Sequence, residues 1–309
     1  MVITVSLNPA MDKTLNIDNF ELGTINRALK VRQDMGGKGI NVSKVLKNFS
    51  VASVCIGFLG GPLEEYFLKE LGLREINTKF THIKGNTRTN IKIVDGLRCI
   101  YTDINEPGPV ISEEELDSFL ETFKSLCNSG DIVVLSGGVS PSLPKDIYKN
   151  LILIAKEKGA LTVLDAEGEL LFEGLKAKPD IIKPNNYELQ KLADINPDSE
   201  EEIISCAEKL CKDGIGKVLV SLGANGAIYV TQNGVYSCNG LKVPVKSTVG
   251  AGDSMVAALV YSTIKDYDDI LTLKFANACG AASVSLEGTE ACSLLKAEEL
   301  LDKICVKVR

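Results

Sequence analysis

Asp253 follows two glycines, Gly250 and Gly252, where the stretch STVGAGDSMVAALV changes from a turn to a helical pattern. The first turn of a helix leaves backbone N–H groups unpaired and carries partial positive charge, so it attracts an anion. Glycine lets the backbone approach that anion closely. The Asp253 carboxylate would lie beside the anion, where it can accept a proton from a hydroxyl. Taken alone, the stretch also fits an aspartate that caps a helix.

Backbone amides beside a base are what phosphoryl transfer to an alcohol requires, because charge spreads over the transferred oxygens while the nucleophile loses a proton. A second glycine-rich turn, GGKGINVSKVL, holds Lys38 among its glycines and Asn41 in the following helix. A Walker P-loop is excluded because its first glycine would fall on Arg32. No G-x-G-x-x-G follows a strand, so a dinucleotide-binding site is only weakly supported. This turn could embrace a sugar and its phosphate, or it could be a tight turn with a solvated lysine.

Composition excludes several classes of protein. The chain has 309 residues, 45% of them hydrophobic, and a formal net charge of −7, without a block of consecutive lysines or arginines. These features argue against disorder and against nucleic acid or an anionic membrane as a partner. No apolar run approaches the ~20 residues that cross a bilayer. The opening MVITVSLNP reads as a buried strand, so we expect a cytoplasmic protein.

Cysteine and histidine offer little for metal or hydrolytic chemistry. The nine cysteines are odd in number and form no C-x-x-C, and His82 is the single histidine. A zinc site therefore cannot be assembled, and the thiols are expected to serve as small apolar residues in a reducing compartment. We expect His82 at the surface, which leaves no histidine for a hydrolase triad.

Short apolar runs that alternate with helical patterns predict the elements that position the two turns. A helix is expected from Glu113 to Ser125, and buried strands are expected at MVITVSL, VASVCIGFL, DIVVLSG, ALTVLDA, PDIIKPN and KVLVSLG. Continuous apolar strands between helices are typical of a mostly parallel sheet that is covered on both faces. A hairpin that turns at Asn233-Gly234 is expected at the antiparallel edge of this sheet.

Two segments, residues 13–34 and 87–105, show period-two alternation instead. The Asp95-Gly96 pair in the second segment is a strong hairpin signal. We predict that these segments form a small, half-buried sheet inserted into one α/β domain that spans residues 1–309. The exposed apolar face of that sheet could close over the substrate as a lid or join two copies into a homodimer.

The two glycine-rich turns, GGKGINVSKVL and TVGAGDSMVA, resemble the two signatures of the ribokinase-like (PfkB) carbohydrate kinases. The likeness continues in order through LNPAMD, KGNTRTNIKI, LSGG, IKPNNYEL and SLGANGAIYV, so it covers essentially the whole chain. It implies a three-layer α/β/α fold with a mostly parallel sheet and a small β-sheet lid. It also implies an ATP-dependent phosphotransferase with an alcohol acceptor.

Within that family the chain most resembles the bacterial branch of 1-phosphofructokinases and tagatose-6-phosphate kinases. The features that point there are LNPAMD, residues 87–90, INEPGP and STVGAGDS. The resemblance implies that fructose 1-phosphate is phosphorylated at its 6-hydroxyl, and tagatose 6-phosphate is the alternative substrate. A sugar-phosphate sensor without turnover is the alternative from another class; the joint presence of Asp253, its glycines and Glu188 argues against it.

The resemblance also assigns roles to single residues. Asp253 resembles the catalytic base of the family. The amides of Gly250, Ala251 and Gly252 resemble its anion hole for the migrating phosphoryl group. The sugar phosphate is expected on Asp12, Gly37, Lys38, Asn41, Arg88, Asn90 and Gly138, with Lys38 and Arg88 on its phosphate. ATP is expected on Lys183, Asn185, Ser221, Gly223, Ala224, Gly226 and Asn277.

Magnesium is expected near Glu188 and Asp165, through water, because this ion keeps much of its hydration. The need for a monovalent cation near the anion hole stays open. The alternatives are that Asn185 and Glu188 begin a helix, that Gly223 to Gly226 enter a hairpin, and that Asp165 caps a strand. The stretch SGGVSPSLP departs from the family pattern because glycine stands at 138 in place of serine and a later glycine is missing. Contacts of this loop with the substrate are therefore open.

Overall fold

A computed structural model of the chain, which describes residues 1–309, contains a main sheet of ten strands and a small sheet of four. The strands of both sheets are numbered together in chain order. The main sheet consists of β1 (Val2–Ser6), β4 (Ser53–Gly60), β5 (Asn77–Ile83), β8 (Ile132–Ser136), β9 (Leu161–Asp165), β10 (Ile181–Ile182), β11 (Lys217–Ser221), β12 (Ala227–Thr231), β13 (Gly234–Cys238) and β14 (Val306–Val308). Their spatial order is β14-β13-β12-β11-β10-β9-β8-β1-β4-β5.

The central part of this sheet is parallel, as the apolar runs predict. Every pairing from β5 to β11 is parallel, whereas β12, β13 and β14 add antiparallel strands at one edge. The predicted hairpin at Asn233-Gly234 joins β12 to β13. Strand β5 was not predicted, and it places His82 at the other edge, where the imidazole is 71% exposed and lies 2.6 Å from Glu64.

Ten helices form the two outer layers, and none of them combines the length and apolarity that crossing a membrane requires. They are α1 (Lys38–Asn48), α2 (Pro62–Leu73), α3 (Glu113–Leu126), α4 (Ile147–Glu157), α5 (Gly168–Leu175), α6 (Asn186–Ala193), α7 (Glu200–Lys212), α8 (Ala251–Ile264), α9 (Asp269–Val284) and α10 (Leu294–Leu301). A short 3₁₀ turn, Gly223–Asn225, precedes β12.

Alternate residues of the central strands point into opposite layers. On β8, Val133 and Leu135 pack against α3 to α7, whereas Ile132 and Val134 pack against the layer that contains α1, α8, α9 and α10. A smaller cluster joins α1 and α2 to β4 on that second face. Burial on both faces explains why these strands read as continuous apolar runs. The three-layer α/β/α prediction is confirmed.

Helix α8 is buried along most of its length because it lies between the sheet, α1 and α9. Near its C-terminal end the ring of Tyr261 packs on those of Phe49 and Phe275, with centroids 5.3 and 5.2 Å apart. Aromatic pairs at such separations add to the stabilisation from burial. This packing holds the N-terminus of α8, with Asp253 in its first turn, in a defined place beside α1.

The small sheet predicted from period-two alternation is present. Its strands are β2 (Ala10–Ile17), β3 (Lys30–Gly36), β6 (Arg88–Asp95) and β7 (Ile100–Asn105), in the order β3-β2-β6-β7. Strands β2 and β6 are parallel, and the two outer pairings are antiparallel. The Asp95 carboxylate accepts hydrogen bonds from the backbone N–H groups of Phe20, Leu97 and Arg98, which fixes the turn after β6.

Candidate active site

A cleft of about 540 Å³ lies between the small sheet and the edge of the main sheet where the parallel strands end. Carboxyl ends of parallel strands are the usual place for a ligand in an open α/β sheet. Nearly all of the lining residues are polar or glycine. Predicted site residues that line the cleft are Asp12, Gly37, Lys38, Asn41, Arg88, Asn90, Gly138, Lys183, Asn185, Glu188, Ser221, Gly250, Gly252 and Asp253.

Asp253 lies in the first turn of α8 and lines the cleft. Gly250 precedes this turn in the left-handed conformation, with φ of +84°, which glycine adopts without strain. The carboxylate is 5% exposed, and its Oδ2 accepts a hydrogen bond of 2.8 Å from Nδ2 of Asn41. Burial raises the pKa of Asp253 to about 6, although Lys38 acts to lower it. A carboxylate with this proton affinity can take a proton near neutral pH.

Two lysines share the carboxylate of Asp165 at the end of β9. Nζ of Lys38 lies 3.1 Å from Oδ2, and Nζ of Lys183 lies 3.2 Å from Oδ1. Burial opposes ionisation of Asp165, but Lys183 and Lys38 together outweigh it, so the pKa of this carboxyl is lowered. Asp165 in turn raises the pKa of Lys38. The Lys38 ammonium group is therefore held as a cation.

Lys183 also lies next to the predicted anion hole. A methyl group added at Gly252 would lie 3.5 Å from Nζ of Lys183. The start of α8 therefore faces a fixed ammonium group as well as its own unpaired amides. Asp165 itself does not line the cleft, and its observed contacts are the ion pairs with Lys38 and Lys183.

A second chain of polar contacts crosses the small sheet. Asp12 on β2 and Asn90 on β6 are register partners, and Nδ2 of Asn90 donates to Oδ1 of Asp12 at 3.0 Å. Nη1 of Arg88 donates to Oδ1 of Asn90 at 3.3 Å and to the carbonyl of Glu106 at 2.7 Å. Burial raises the pKa of Asp12 and lowers the pKa of Arg88. Arg88 forms no ion pair with a carboxylate, so its charge is available to an anion.

Glycines at the start of α1 are required by close contacts. Gly37 has φ of +127°, and a Cβ there would lie 2.6 Å from Oγ of Ser6. A Cβ on Gly36 would lie 2.1 Å from Oδ2 of Asp12. Gly36 was not among the predicted site residues. Gly36 does not line the cleft, but a Cβ at this position would displace the Asp12 carboxylate, which does.

Asn185 and Glu188 form a capping box at the start of α6. Oδ1 of Asn185 accepts from the Glu188 N–H, and Oε2 of Glu188 accepts from the Asn185 N–H, both at 2.8 Å. The alternative that these residues begin a helix is thus realised. No hydrogen bond engages Oε1 of Glu188, and burial raises the pKa of this carboxyl. The free oxygen leaves Glu188 able to bind a second group in the cleft.

Gly223, Ala224, Gly226 and Asn277, all predicted to bind ATP, lie beside the cleft without lining it. A Cβ on Gly226, whose φ is +102°, would lie 2.0 Å from the carbonyl oxygen of Cys238. Nδ2 of Asn277 donates to the carbonyl of Asn239 at 3.1 Å. The backbone around Gly226 therefore crosses the backbone of residues 238 and 239, which Asn277 also contacts. Contact of the four predicted residues with ATP stays a prediction. Ala251, the first residue of α8, does not line the cleft either.

The divergent loop after β8 supports the segment that precedes α3. Oγ of Ser140 donates to the carbonyl of Pro109, and Oγ of Ser142 accepts from the N–H of Ile111 at 2.8 Å. Only the beginning of the loop, Ser136 to Gly138, lines the cleft. Ser140 and Ser142 thus make hydrogen bonds within the protein.

Lys44 was missed by the sequence reasoning. It lies on the buried face of α1, and its Nζ donates to Oδ1 of Asn41 at 3.1 Å. The available signal was its position three residues after Asn41, because residues at this spacing meet on one side of a helix. Lys92, Asp103 and Asn105 of the small sheet also line the cleft without having been predicted.

Comparisons with known proteins identify relatives of the chain. Residues 5–296 match the pfkB family carbohydrate kinases. The chain is 40% identical to the 1-phosphofructokinase of Bacillus subtilis over 84% of each protein. A phosphofructokinase-type protein of Staphylococcus aureus superposes with a TM-score of 0.85 at 33% identity, over 100% of this chain and 99% of the other.

Phosphofructokinase-2 of Escherichia coli, solved in complex with substrates and products, superposes with a TM-score of 0.92 at 26% identity, over 98% of each chain. The two structural superpositions thus cover 98% to 100% of this chain. The chain belongs to the pfkB family of carbohydrate kinases.

Proposed function

We propose that the protein transfers the γ-phosphoryl group of ATP to the 6-hydroxyl of fructose 1-phosphate and releases fructose 1,6-bisphosphate and ADP. The observation that carries this proposal is the buried Asp253 carboxylate in the first turn of α8, directly after the left-handed Gly250. Identity of 40% to the 1-phosphofructokinase of Bacillus subtilis supports the choice of substrate.

Asp253 acts as the base in this proposal. Its Oδ2 is occupied by Asn41, so Oδ1 is the oxygen that can receive the proton of the substrate hydroxyl. The hydroxyl oxygen forms a bond to the γ-phosphorus as the bond from phosphorus to the bridging oxygen of ADP breaks. The proton passes to Asp253, and the pKa of about 6 makes this carboxyl mostly ionised, and therefore able to accept it, at pH 7.

The amides of Gly250, Ala251 and Gly252 receive the oxygens of the migrating phosphoryl group, with Lys183 beside them. Charge stabilisation of this kind is often the largest contribution to catalysis, because the donors need not reorganise during the reaction. Asp165 holds Lys183 and Lys38 in place. The fixed cations also offset the repulsion between two anionic substrates in a protein of net charge −7.

The sugar end of the cleft is formed by the small sheet. Arg88, which has no carboxylate partner, takes the 1-phosphate together with Lys38, whose side chain is 40% exposed. A guanidinium can bind phosphate through two parallel hydrogen bonds. Asp12 and Asn90 take sugar hydroxyls, as does Asn41. A neutral sugar would leave the half-buried charge of Arg88 uncompensated.

The family implies Mg²⁺, and the residues present fit it. Mg²⁺ in kinases uses one or two carboxylates together with water and substrate phosphates. Glu188 offers Oε1, and no group of three acidic, histidine or cysteine side chains forms a closed cage. Glu188 would hold the ion through water, where it would neutralise charge on the phosphates. Asp165 is a weaker candidate because both of its oxygens face lysines.

A monovalent cation near the anion hole is part of the proposal, because phosphofructokinase-2 of Escherichia coli has also been solved in complex with potassium. We expect activity in potassium to exceed activity in a large organic cation at equal ionic strength. Equal rates in the two salts would remove this cation from the proposal.

The small sheet is proposed to join two copies of the chain. Val31, Ile100, Tyr101 and Ile104 on its outer strands are between 52% and 64% exposed. Exposed apolar patches of this kind commonly mark an interface. Sedimentation at low protein concentration should give the mass of a dimer. A monomer at all concentrations would favour a lid that closes over substrate instead.

Steady-state kcat/KM for fructose 1-phosphate, tagatose 6-phosphate and fructose 6-phosphate, measured side by side, tests the substrate. We expect fructose 1-phosphate to be preferred by at least ~10-fold, which is the discrimination that about 1.4 kcal/mol provides. A preference of that size for either other sugar would overturn the choice. Tight binding of a sugar phosphate without any ADP release would support the sensor alternative.

A further inference from the structure

A lysine without a part in the proposed reaction lies behind the base. Lys44 is 7% exposed, and its Nζ donates to Oδ1 of Asn41 at 3.1 Å and to the carbonyl of Met35. From the same amide, Nδ2 of Asn41 donates to Oδ2 of Asp253 at 2.8 Å. An ammonium, an amide and a carboxylate thus form one continuous chain that ends on the base.

Chemistry allows only one orientation of the amide in this chain. An ammonium group can only donate hydrogen bonds and an ionised carboxylate can only accept them, whereas an amide does both. With Lys44 charged, Asn41 must turn its oxygen toward the lysine and its NH₂ toward Asp253. Without that charge the amide can turn over and offer its oxygen to Asp253. That contact stabilises the protonated carboxyl, which cannot act as a base.

We propose that Lys44 is a positioning residue, which fixes the Asn41 amide so that Asp253 stays ionised with its second oxygen free for the substrate hydroxyl. This inference rests on the proposed role of Asp253 as the base. Lys44 acts through Asn41 and touches neither the sugar nor ATP in the proposed arrangement. In this proposal Asn41 and Asp253 contact the substrate, and Lys44 orients Asn41.

Lys44 stays mostly charged at neutral pH, although burial lowers its pKa. Asp34 on β3, Asp12 on β2 and Asp253 on α8 favour the ammonium form, whereas burial and Arg74, which follows α2, oppose it. Burial is the larger effect and lowers the pKa of Lys44 to about 8. Burying an amine among apolar residues costs free energy. Orientation of Asn41 gives this buried charge a function that an apolar side chain could not supply.

The pH dependence of kcat/KM for the sugar phosphate separates this role from a structural one. In Lys44→Met, which keeps a long unbranched side chain, the fall in activity on the acid side should move up by about one pH unit or more, judging from the strength of hydrogen bonds to charged groups. Activity at pH 7 should drop about twofold for a shift of one unit and ~10-fold for a shift of two, and it should recover as the pH rises above 8. Lys44→Gln, which keeps a donor for Met35, should show the same shift, and thermal melting checks that each variant is folded.

Lys44→Arg is the conservative control. Lys44 borders a neighbouring cavity of about 770 Å³ between α1, α2 and residues 286–296, so a guanidinium has room there. Because arginine stays charged, this variant should keep the acid side of the parent profile. In an Asn41→Ala background, Lys44→Met should produce no additional shift, since the two residues act through one amide.

A parent-like profile in folded Lys44→Met and Lys44→Gln would overturn the proposal, as would a uniform loss at every pH. Both results would leave the kinase proposal standing, provided that Asp253→Asn is inactive. Conversely, near-normal turnover of Asp253→Asn would remove the base itself. The two failures are therefore distinguishable in one set of variants.

Discussion

Asn41 and Asp253, which are 212 residues apart in the chain, are joined by a hydrogen bond of 2.8 Å between Nδ2 and Oδ2. Each residue lies in the first turn of a helix that follows a glycine-rich turn, and the two helices, α1 and α8, pack side by side. The two glycine-rich turns therefore form one site. Their predicted roles depend on each other.

Activity should depend on a group with a pKa near 6. Burial raises the pKa of Asp253 to about that value, so this carboxyl becomes protonated as the pH falls through 6. A protonated carboxyl cannot accept the hydroxyl proton, and kcat/KM should fall about tenfold for each pH unit below 6. The pH profile of the parent enzyme at constant ionic strength measures this dependence.

The phosphate of the substrate also titrates near pH 6 and must be separated from Asp253. Binding of fructose 1-phosphate to Asp253→Asn over the same pH range reports the substrate alone. We expect the binding curve to be flatter than the activity curve. If the two curves have the same shape, the dependence comes from the substrate and not from the base.

Arg88→Gln should weaken binding of the sugar phosphate. Loss of a charged hydrogen-bonding group to phosphate should raise the KM for fructose 1-phosphate ~10- to 100-fold, whereas the KM for ATP should change less than ~3-fold. Arg27→Gln, on the exposed connection between β2 and β3, is the matched control and should behave like the parent. An equal rise in the KM for ATP would show that Arg88 does not face the sugar.

Asp165→Asn should damage both stability and turnover. The substitution removes the only negative charge between two buried or half-buried ammonium groups, and breaking a buried pair in this way costs ~3 kcal/mol of unfolding free energy. Urea unfolding measures the loss, and kcat should fall because Lys183 is no longer fixed beside the anion hole. Glu75→Gln, which breaks the exposed pair with Lys47, is the control and should leave stability unchanged. Unchanged stability in Asp165→Asn would contradict the interpretation of the two pairs.

Much of the fold could be predicted because burial on both faces leaves a simple pattern. The apolar runs correspond to parallel strands, and the Asp95-Gly96 signal corresponds to the hairpin of β6 and β7. Strand β5 lacks such a pattern because it lies at an edge and only part of it is buried. Similarly, β14 is only three residues long and largely exposed, so it carries little hydrophobic signal.

The site could be predicted where glycine spacing marks a local geometry, as at Gly250 and Gly37. Contacts between distant segments left no such signal. Lys38 and Asp165 are 127 residues apart, so no spacing indicated their ion pair. Lys44 looked like an ordinary charged residue on a helix. Gly226 carries a local signal, but the structure adds a reason that the sequence does not contain, namely its contact with the carbonyl of Cys238.

Gly226→Ala should destabilise the protein strongly. The new Cβ would lie 2.0 Å from the Cys238 carbonyl oxygen, on a residue with φ of +102°, and such combined overpacking and strain cost ~3 kcal/mol or more. Gly72→Ala is the matched control, because a Cβ there meets no atom within 4 Å in α2. That variant should be as stable as the parent or slightly more stable, by ~0.5 kcal/mol. Comparable unfolding free energies for the two variants would contradict the crossing described around Gly226.

The central claim is tested most directly by single-turnover phosphoryl transfer in Asp253→Asn, with ATP and fructose 1-phosphate both saturating. Removing the base while keeping the shape of the side chain should lower the rate by a factor of ~10³ or more, with ATP affinity within ~3-fold of the parent. A rate within ~10-fold of the parent would contradict the account, because proton removal would then not depend on this carboxylate.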